Sequence, residues 1–237
     1  MKEIFRFKQF QVDQRGCAMR INTDGVLLGV FAALAESEVQ KILDVGTGTG
    51  VIALMLAQHY QQAAIEAIDI DEGSYICSKL NFQASPFASR MKAFHVGIEN
   101  FRAAYSYDLI VSNPPFFINS LKNANDRKTL SRHSSLSFYE ALFIRSTKLL
   151  AKTGSFVIVW PLDIRNRVLN LGYANGMRCY REIFIQSFPE SESFRVISFF
   201  TKERSLGYLK DTFHIYQERG KYSEAYVELL RDFFINF

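Results

Sequence analysis

Between Lys41 and Gly50 the chain reads Lys-Ile-Leu-Asp-Val-Gly-Thr-Gly-Thr-Gly, and no other stretch constrains the fold as tightly. Ile42, Leu43 and Val45 form a short apolar run of β-formers that stops at Gly46, and Val51 to Ala57 then supplies a helix-compatible run. Strand, glycine turn and helix is the order this implies. Glycines at 46, 48 and 50 open backbone angles closed to other residues, and without a Cβ they let a ligand lie against the main chain. In open α/β sheets this first turn is where nucleotide-like ligands bind, beside a helix N-terminus. The spacing is Gly-x-Gly-x-Gly rather than Gly-x-Gly-x-x-Gly, which argues against a nicotinamide cofactor.

The flanking pattern extends this unit. Phe5 to Val12 alternates apolar and polar residues, Asp13-Gln-Arg-Gly16 supplies a turn, and Cys17 to Ile21 returns, so a hairpin is expected at the start. Asn22-Thr-Asp24 caps a helix through Phe31. Ala64 to Asp69 is a second parallel strand, with Asp71 and Glu72 opening the next helix, and Met91 to Val96 is a weaker third strand. Tyr107 to Ser112 is a fourth strand running into Asn113-Pro-Pro-Phe-Phe117. Asn119 to Ser137 is polar and basic and reads as a long functional loop. A helix over 138–150, a strand over 155–160, a helix over 164–173 and strands near 181–186 and 194–201 follow, and Tyr222 to Ile235 reads as a closing amphipathic helix. Alternation from 41 to 201 predicts a Rossmann-like, doubly wound, mostly parallel α/β sheet of seven strands with an antiparallel edge. Residues 1–40, hairpin plus helix, are expected as a small extension of a domain spanning 41–237.

With 237 residues and 48% hydrophobic content the chain can bury a large core, yet it has no apolar run of the roughly 18 residues that mark a membrane span. The start, Met1-Lys-Glu-Ile-Phe-Arg-Phe-Lys8, lacks a signal peptide's apolar segment. Cys17, Cys77 and Cys179 are far apart and in no metal spacing, so they are expected as separate thiols of a reduced, cytoplasmic protein; the four histidines are equally scattered, and no metal is expected. No coiled-coil heptad is legible, and a monomer is expected. Net charge is +4 but segregated: +3 over residues 1–23, −5 over 24–112 and +6 over 113–237. Basic flanks around an acidic middle favour a polyanionic partner.

The chemistry concentrates at Asn113-Pro114-Pro115-Phe116, at the carboxyl end of a strand. Two prolines fix their own dihedrals and extend the residue before each, so the carbonyls stay out of a helix and free to accept. The Asn113 side-chain oxygen and the Pro114 main-chain oxygen can both accept from one exocyclic amine. Accepting both protons turns an amine conjugated to a purine toward sp³ character and makes its lone pair a nucleophile. Phe116 would stack on the ring, a contact worth about 1–3 kcal/mol per base. A strand-ending turn alone would explain the prolines. It does not explain their position 63 residues after Gly50 with Asp69 between, 23 residues past Gly46, near the offset of an acid that binds ribose hydroxyls.

These motifs resemble those of S-adenosylmethionine-dependent amino-methyltransferases with the Rossmann-like class I fold, which modify adenine N6, cytosine N4 or a glutamine amide. Thr23-Asp-Gly-Val-Leu-Leu-Gly29 and Tyr222-Ser-Glu-Ala-Tyr226 further resemble the tRNA1(Val) adenine-N6 methyltransferase family, which acts on adenosine 37 beside the anticodon. The resemblance implies S-adenosyl-L-methionine lying along Gly46, Thr47, Gly48 and Gly50, with Asp44 facing its amino group and Asn113 also among the residues that contact it. It further implies Asp69 on the ribose, Thr23 and Asp24 closing the methionine end, and Ile70 walling the adenine. The family usually carries an aspartate near position 97 that accepts from the cofactor's adenine amine. Here Gly97 stands there with Glu99 two residues on, so either Glu99 takes over or the contact is lost. It also implies a tRNA anticodon stem-loop as partner, with Lys122, Arg127, Lys128, Arg132 and His133 placed to grip phosphates beside an unstacked base. Two other readings remain: methylation of a protein glutamine or of adenine in rRNA or DNA, and a non-catalytic RNA-binding protein with a retained cofactor fold.

Overall fold

Two short strands, β1 (Ile4–Arg6) and β2 (Gln11–Asp13), pair antiparallel at the start of the chain. The turn joining them closes where the Phe7 N–H donates to the Phe10 carbonyl at 2.8 Å and the two rings stack 4.4 Å apart. The hairpin expected to return over Cys17–Ile21 is thus corrected to one that returns over β2. Its tighter turn buries Phe7 and Phe10 in the aromatic cluster around Phe5 and Phe234. The structure, a computed structural model, describes residues 3–35, 38–115, 127–203 and 207–236, without the side chains of 127–136.

Helix α1 (Thr23–Ala32) starts on Asn22, whose Oδ1 accepts from the Gly25 N–H at 2.8 Å. From Gly25 to Ala32 every residue is buried, as an all-apolar helix requires. Its contact with α2 (Val51–His59) is close because Gly29 has no side chain: a Cβ there would lie 3.1 Å from Met55 Sδ.

The main sheet comprises β3 (Lys41–Val45), β4 (Ala64–Asp69), β5 (Met91–His95), β6 (Tyr107–Ser112), β7 (Leu150–Pro161), β8 (Arg178–Gln186), β9 (Ser193–Thr201) and β10 (Leu209–His214). Their order is β10-β8-β9-β7-β6-β3-β4-β5, and all run parallel except β9, which is antiparallel to both its neighbours. The doubly wound architecture and the antiparallel region at the C-terminal end agree with the sequence pattern, and β10 brings the strand count to eight rather than seven. Most of Leu209–His214 is exposed and lacks apolar alternation, so its strand character comes from pairing with β8 rather than from its own composition.

Neighbouring residues of the central strands feed opposite cores. Ile42, Leu109 and Val157 pack with α1 and α2, whereas Leu43, Ile110 and Phe156 pack with α4 (Arg127–Leu149) and α5 (Arg165–Ala174). The expected loop over Asn119–Ser137 is corrected from Arg127 onward, where the chain is already helical; residues 119–126 lie outside the described residues. Tyr139, Leu142 and Phe143 anchor α4 on the sheet, and a nucleated helix extends cheaply through polar sequence.

Past β10, the strands β11 (Tyr216–Glu218) and β12 (Lys221–Tyr222) form a small hairpin that leads into α6 (Glu224–Leu230). The helix expected over Tyr222–Ile235 is therefore shorter: Ser223 caps its start by accepting from the Tyr226 N–H, and past Leu230 the chain turns so that Phe234 bridges to Phe7.

The cysteines also need correcting. Cys17 and Cys77 are joined by a disulfide with Cα atoms 5.8 Å apart, while Cys179 is free and buried. Residues 13–17 run over α3 (Glu72–Gln83), with Asn81 holding Asp13, and this brings together two cysteines separated by 60 positions. The Asn81 side chain accepts from the Asp13 N–H at 2.8 Å and donates to the carbonyls of Asp13 and Thr49, each at 2.9 Å. One buried amide thereby ties the N-terminal hairpin to the glycine loop. Among the described residues no helix is long and apolar enough to cross a membrane, and no group of three or more His, Cys, Asp or Glu is placed to hold a metal.

Candidate active site

Strand order reverses at β3, with β4 and β5 to one side and β6 and β7 to the other. The crevice outside the carboxyl ends of strands at such a reversal is where open α/β sheets take ligands. β3 ends in the glycine loop and β6 ends in Asn113-Pro114-Pro115. Val45 pairs with Ser112 in register, and Ser112 Oγ donates to the Val45 carbonyl at 2.9 Å. Gly46 and Asn113 consequently leave the sheet as neighbours.

The loop is held from beneath by β4. The Gly46 and Thr47 amides donate to the Ile68 carbonyl at 2.9 and 3.1 Å, and the Gly48 amide donates to Asp69 Oδ2 at 2.9 Å. Asp69 Oδ1 accepts from the Asp71 N–H at 2.9 Å, and burial pushes the Asp69 carboxyl above its ordinary pKa. Gly48 and Gly50 adopt φ of 55° and 82°, angles that strain any side chain. A Cβ on Gly48 would meet nothing within 4 Å, so the main chain there faces open space; a Cβ on Gly50 would lie 2.5 Å from the Phe82 ring. Two glycines of one motif thus differ: Gly48 leaves the main chain open, and Gly50 lets the Phe82 ring pack against it.

Asp44 sits wholly buried at the foot of the loop. Its Oδ2 accepts from Thr47 Oγ1 at 2.7 Å, while Oδ1 has no hydrogen-bond partner among the described residues. Burial, with the nearby Asp69 charge adding to it, raises the carboxyl to about 7. A buried carboxylate oxygen without a side-chain partner can take a donor from a ligand or a water.

On the other side of Asn113 lies α1. Asn113 Nδ2 is 3.4 Å from where a Cβ on Gly25 would stand, and the carboxamide makes no hydrogen bond among the described residues. A cavity of about 550 Å³ opens here, lined by Thr23, Asp24, Asn113, Pro114, Arg195 and Tyr216 among others. Arg195 Nε donates to Asp24 Oδ2 at 2.8 Å and fixes that acid at the pocket wall.

Beyond β4, Ile70 is 74% exposed and leaves an apolar side chain open at this end of the crevice. Glu99 Oε2 lies 2.9 Å from the place a Cβ on Gly97 would occupy, and Ile70 Cδ1 lies 3.2 Å from the same point. The Glu99 carboxylate therefore fills the space a side chain at 97 would enter, and among the described residues it accepts no hydrogen bond.

Structure thus brings together Asp44, the glycine loop and Asp69 beneath one crevice, Asn113 and Pro114 beside it, Thr23 and Asp24 across it, and Ile70 and Glu99 at its far end. Phe116 and Lys122 lie outside the described residues, and Arg127, Lys128, Arg132 and His133 fall on the first turns of α4, where only the backbone is described. Asn81 and Arg195 give no signal in a local window because their partners Asp13 and Asp24 lie 68 and 171 positions away, and Tyr216 stands out only as one of several nearby tyrosines; a polar residue on the inner side of α3 is the one available sign, for Asn81.

Comparison with known proteins agrees with this geometry. The family profile of the methyltransferase small domain matches residues 24–170. Among solved structures, a predicted O-methyltransferase from Agrobacterium tumefaciens aligns over 89% of this chain and 96% of its own at a TM-score of 0.68, with 13% identity. The N-methyltransferase NodS from Bradyrhizobium japonicum, in complex with S-adenosyl-L-homocysteine, aligns over 74% of this chain and 84% of its own at a TM-score of 0.54, with 16% identity. Fold and family profile define a methyltransferase of the small-domain class.

Whole-chain relatives narrow this further. A tRNA1(Val) (adenine(37)-N6)-methyltransferase of Pedobacter heparinus is 42% identical over all of both chains. Those of Porphyromonas gingivalis and Trichodesmium erythraeum are 39% and 35% identical over 98% of this chain and 95% and 98% of theirs. The chain belongs to the tRNA1(Val) (adenine(37)-N6)-methyltransferase family.

Proposed function

We propose that the protein transfers a methyl group from S-adenosyl-L-methionine to N6 of adenosine 37 in the anticodon loop of a valine tRNA. The observation that carries this reading is the placement of Asn113 and Pro114 at the end of β6, beside the glycine loop that ends β3.

The residues present suit the cofactor. Asp44 Oδ1 is an unpaired buried acceptor for an ammonium group, the main chain at Gly46 and Gly48 is open, and Ile70 offers an uncovered apolar wall. Glu99 stands in for an acid at 97 and accepts from the cofactor's adenine amine. Asp69 uses each oxygen once within the protein, and a carboxylate has lone pairs left for ribose hydroxyls. When bound, S-adenosyl-L-methionine supplies the electrophile, a sulfonium methyl group. Asn113 Oδ1 and the Pro114 carbonyl accept hydrogen bonds from the two N–H groups of the substrate amine and direct its lone pair, and the methylated ammonium then loses one proton to water. Phe116 stacks on the base. Catalysis is chiefly positioning and fixed dipoles, with no covalent enzyme intermediate. Residues 1–40 act as an extension of the catalytic unit that lends it Thr23 and Asp24. Lys122, Arg127, Lys128, Arg132 and His133, which follow the catalytic turn, supply charge for the phosphates around the unstacked nucleotide.

Nucleoside mass spectrometry of tRNA from cells with and without the protein tests this. Loss of N6-methyladenosine at position 37 of a valine tRNA is expected. Unchanged tRNA nucleosides, with methyl label appearing in protein instead, would refute it in favour of glutamine methylation.

A further inference from the structure

Three tyrosines of the C-terminal segment form a column. The Tyr226 ring stacks on Tyr222 with centroids 4.7 Å apart and planes 12° off parallel, and Tyr222 stacks on Tyr216 at 5.1 Å and 17°. Tyr226 is 4% exposed and rooted in the core against Phe213, whereas Tyr222 is 44% exposed. The column is held by backbone as well as by rings. The Tyr216 N–H donates to the Ser187 carbonyl at 2.9 Å, the Ile215 N–H to the Gln186 carbonyl at 3.0 Å, and the Ser223 N–H back to the Ile215 carbonyl at 2.9 Å. At the other end of the column the half-buried Tyr216 ring, with the Phe188 ring tilted 36° to it at 5.7 Å, lines the cavity that also holds Asn113 and Pro114. Arg195, whose guanidinium lies over the Phe194 ring and is bound to Asp24, lines the same wall.

A rigid row of parallel rings ending at a catalytic cavity suits one class of ligand. Every nucleobase has a π-face that can continue such a stack whatever its sequence. A glutamine side chain has no such face. Because the column is already ordered in the free protein, stacking on it costs little further loss of conformational freedom. We propose that Tyr216 is the stacking platform for a nucleobase of the substrate RNA loop in the cavity of Asn113 and Pro114, with Tyr222 and Tyr226 as its support. This rests on the proposed tRNA reading and adds a recognition residue to it.

The test is a double-mutant cycle on the full-length protein with an anticodon stem-loop RNA. KM, kcat and RNA affinity are measured for wild type, Tyr216→Ala, Tyr216→Leu and Tyr216→Phe, each against the intact loop and loops made abasic at one position at a time. Tyr216→Ala and Tyr216→Leu are expected to weaken RNA binding roughly 5- to 150-fold, the range of one stacked base, with Tyr216→Phe near wild type. S-adenosylmethionine affinity and melting temperature guard against misfolding and should stay near wild type for Tyr216→Leu. The loss should disappear when one particular loop base is removed. Wild-type methylation of the loop with full binding by Tyr216→Leu, or losses that no abasic position cancels, would overturn the platform alone. A wild-type protein that methylates no RNA would overturn it together with the tRNA reading.

Discussion

Asp44 gives the account a quantitative handle. Its carboxyl is fully buried, bonded by Thr47 on one oxygen and unpaired on the other, and stands at about 7 instead of 3.8. The sign follows from linkage. The folded protein holds this proton more tightly than the unfolded chain does, so the stability conferred by the neutral form is complete below 3.8, falls as pH rises and is gone above about 7. The shift corresponds to about 4 kcal/mol. A ligand ammonium at Oδ1 reverses the balance, because it needs the ionised form. With only that form competent, apparent cofactor affinity should fall roughly 25-fold between pH 7.5 and pH 5.5, approaching tenfold per pH unit at the acid end. Titration calorimetry of S-adenosylmethionine across this range reads the slope, and proton uptake measured in buffers of different ionisation enthalpy reads the proton released. Asp44→Asn keeps an acceptor for Thr47, so it should raise the melting temperature at pH 8 while weakening the cofactor and flattening the pH profile. A wild-type affinity independent of pH, or an Asp44→Asn protein that binds as tightly as wild type, would refute the assignment of Oδ1 to the cofactor.

Other expectations follow from single contacts. Asn113→Ala should lower kcat more than 100-fold, of the order of losing a key transition-state contact, with cofactor affinity within about threefold of wild type; steady-state kinetics with calorimetry separates the two. Glu99→Gln should weaken S-adenosylmethionine by about tenfold, the scale of one charge-assisted hydrogen bond, and should hardly alter binding of an analogue lacking the adenine amine. Asn81→Ala leaves the Asp13 N–H and the Asp13 and Thr49 carbonyls without their partner, so urea unfolding should register a loss of roughly 2–3 kcal/mol. Glu182 is buried and receives Arg165, the Tyr208 hydroxyl at 2.7 Å and Ser198 Oγ at 3.2 Å. Removing it as Glu182→Ala should fall at the lower end of roughly 3–5 kcal/mol, since Arg165 keeps some contact with water.

The parts of the candidate crevice were legible in the sequence because they are local. A β-run that stops at glycines, an acid at the end of the next strand and a double proline at the end of another each carry their geometry in a few adjacent residues. What was not legible depends on residues far apart. Phe7 and Phe10 look like strand positions until their burial against Phe234 is known, and only then does the turn fall between them. Leu209–His214 has no strand pattern of its own and is recruited by β8. The polar first turns of α4 read as loop because their helicity is carried by the apolar residues that follow. Arg195 finds Asp24 across 171 positions, and Cys17 reaches Cys77 across 60, so no local window could have paired them.

A crystal structure of the protein with S-adenosyl-L-homocysteine and an anticodon stem-loop would show which atoms receive the substrate amine. The account predicts the N6 atom of adenosine 37 within hydrogen-bond distance, about 2.7–3.2 Å, of both Asn113 Oδ1 and the Pro114 carbonyl. An amine bound away from these two oxygens, or a loop seated with adenosine 37 still stacked outside the crevice, would contradict it.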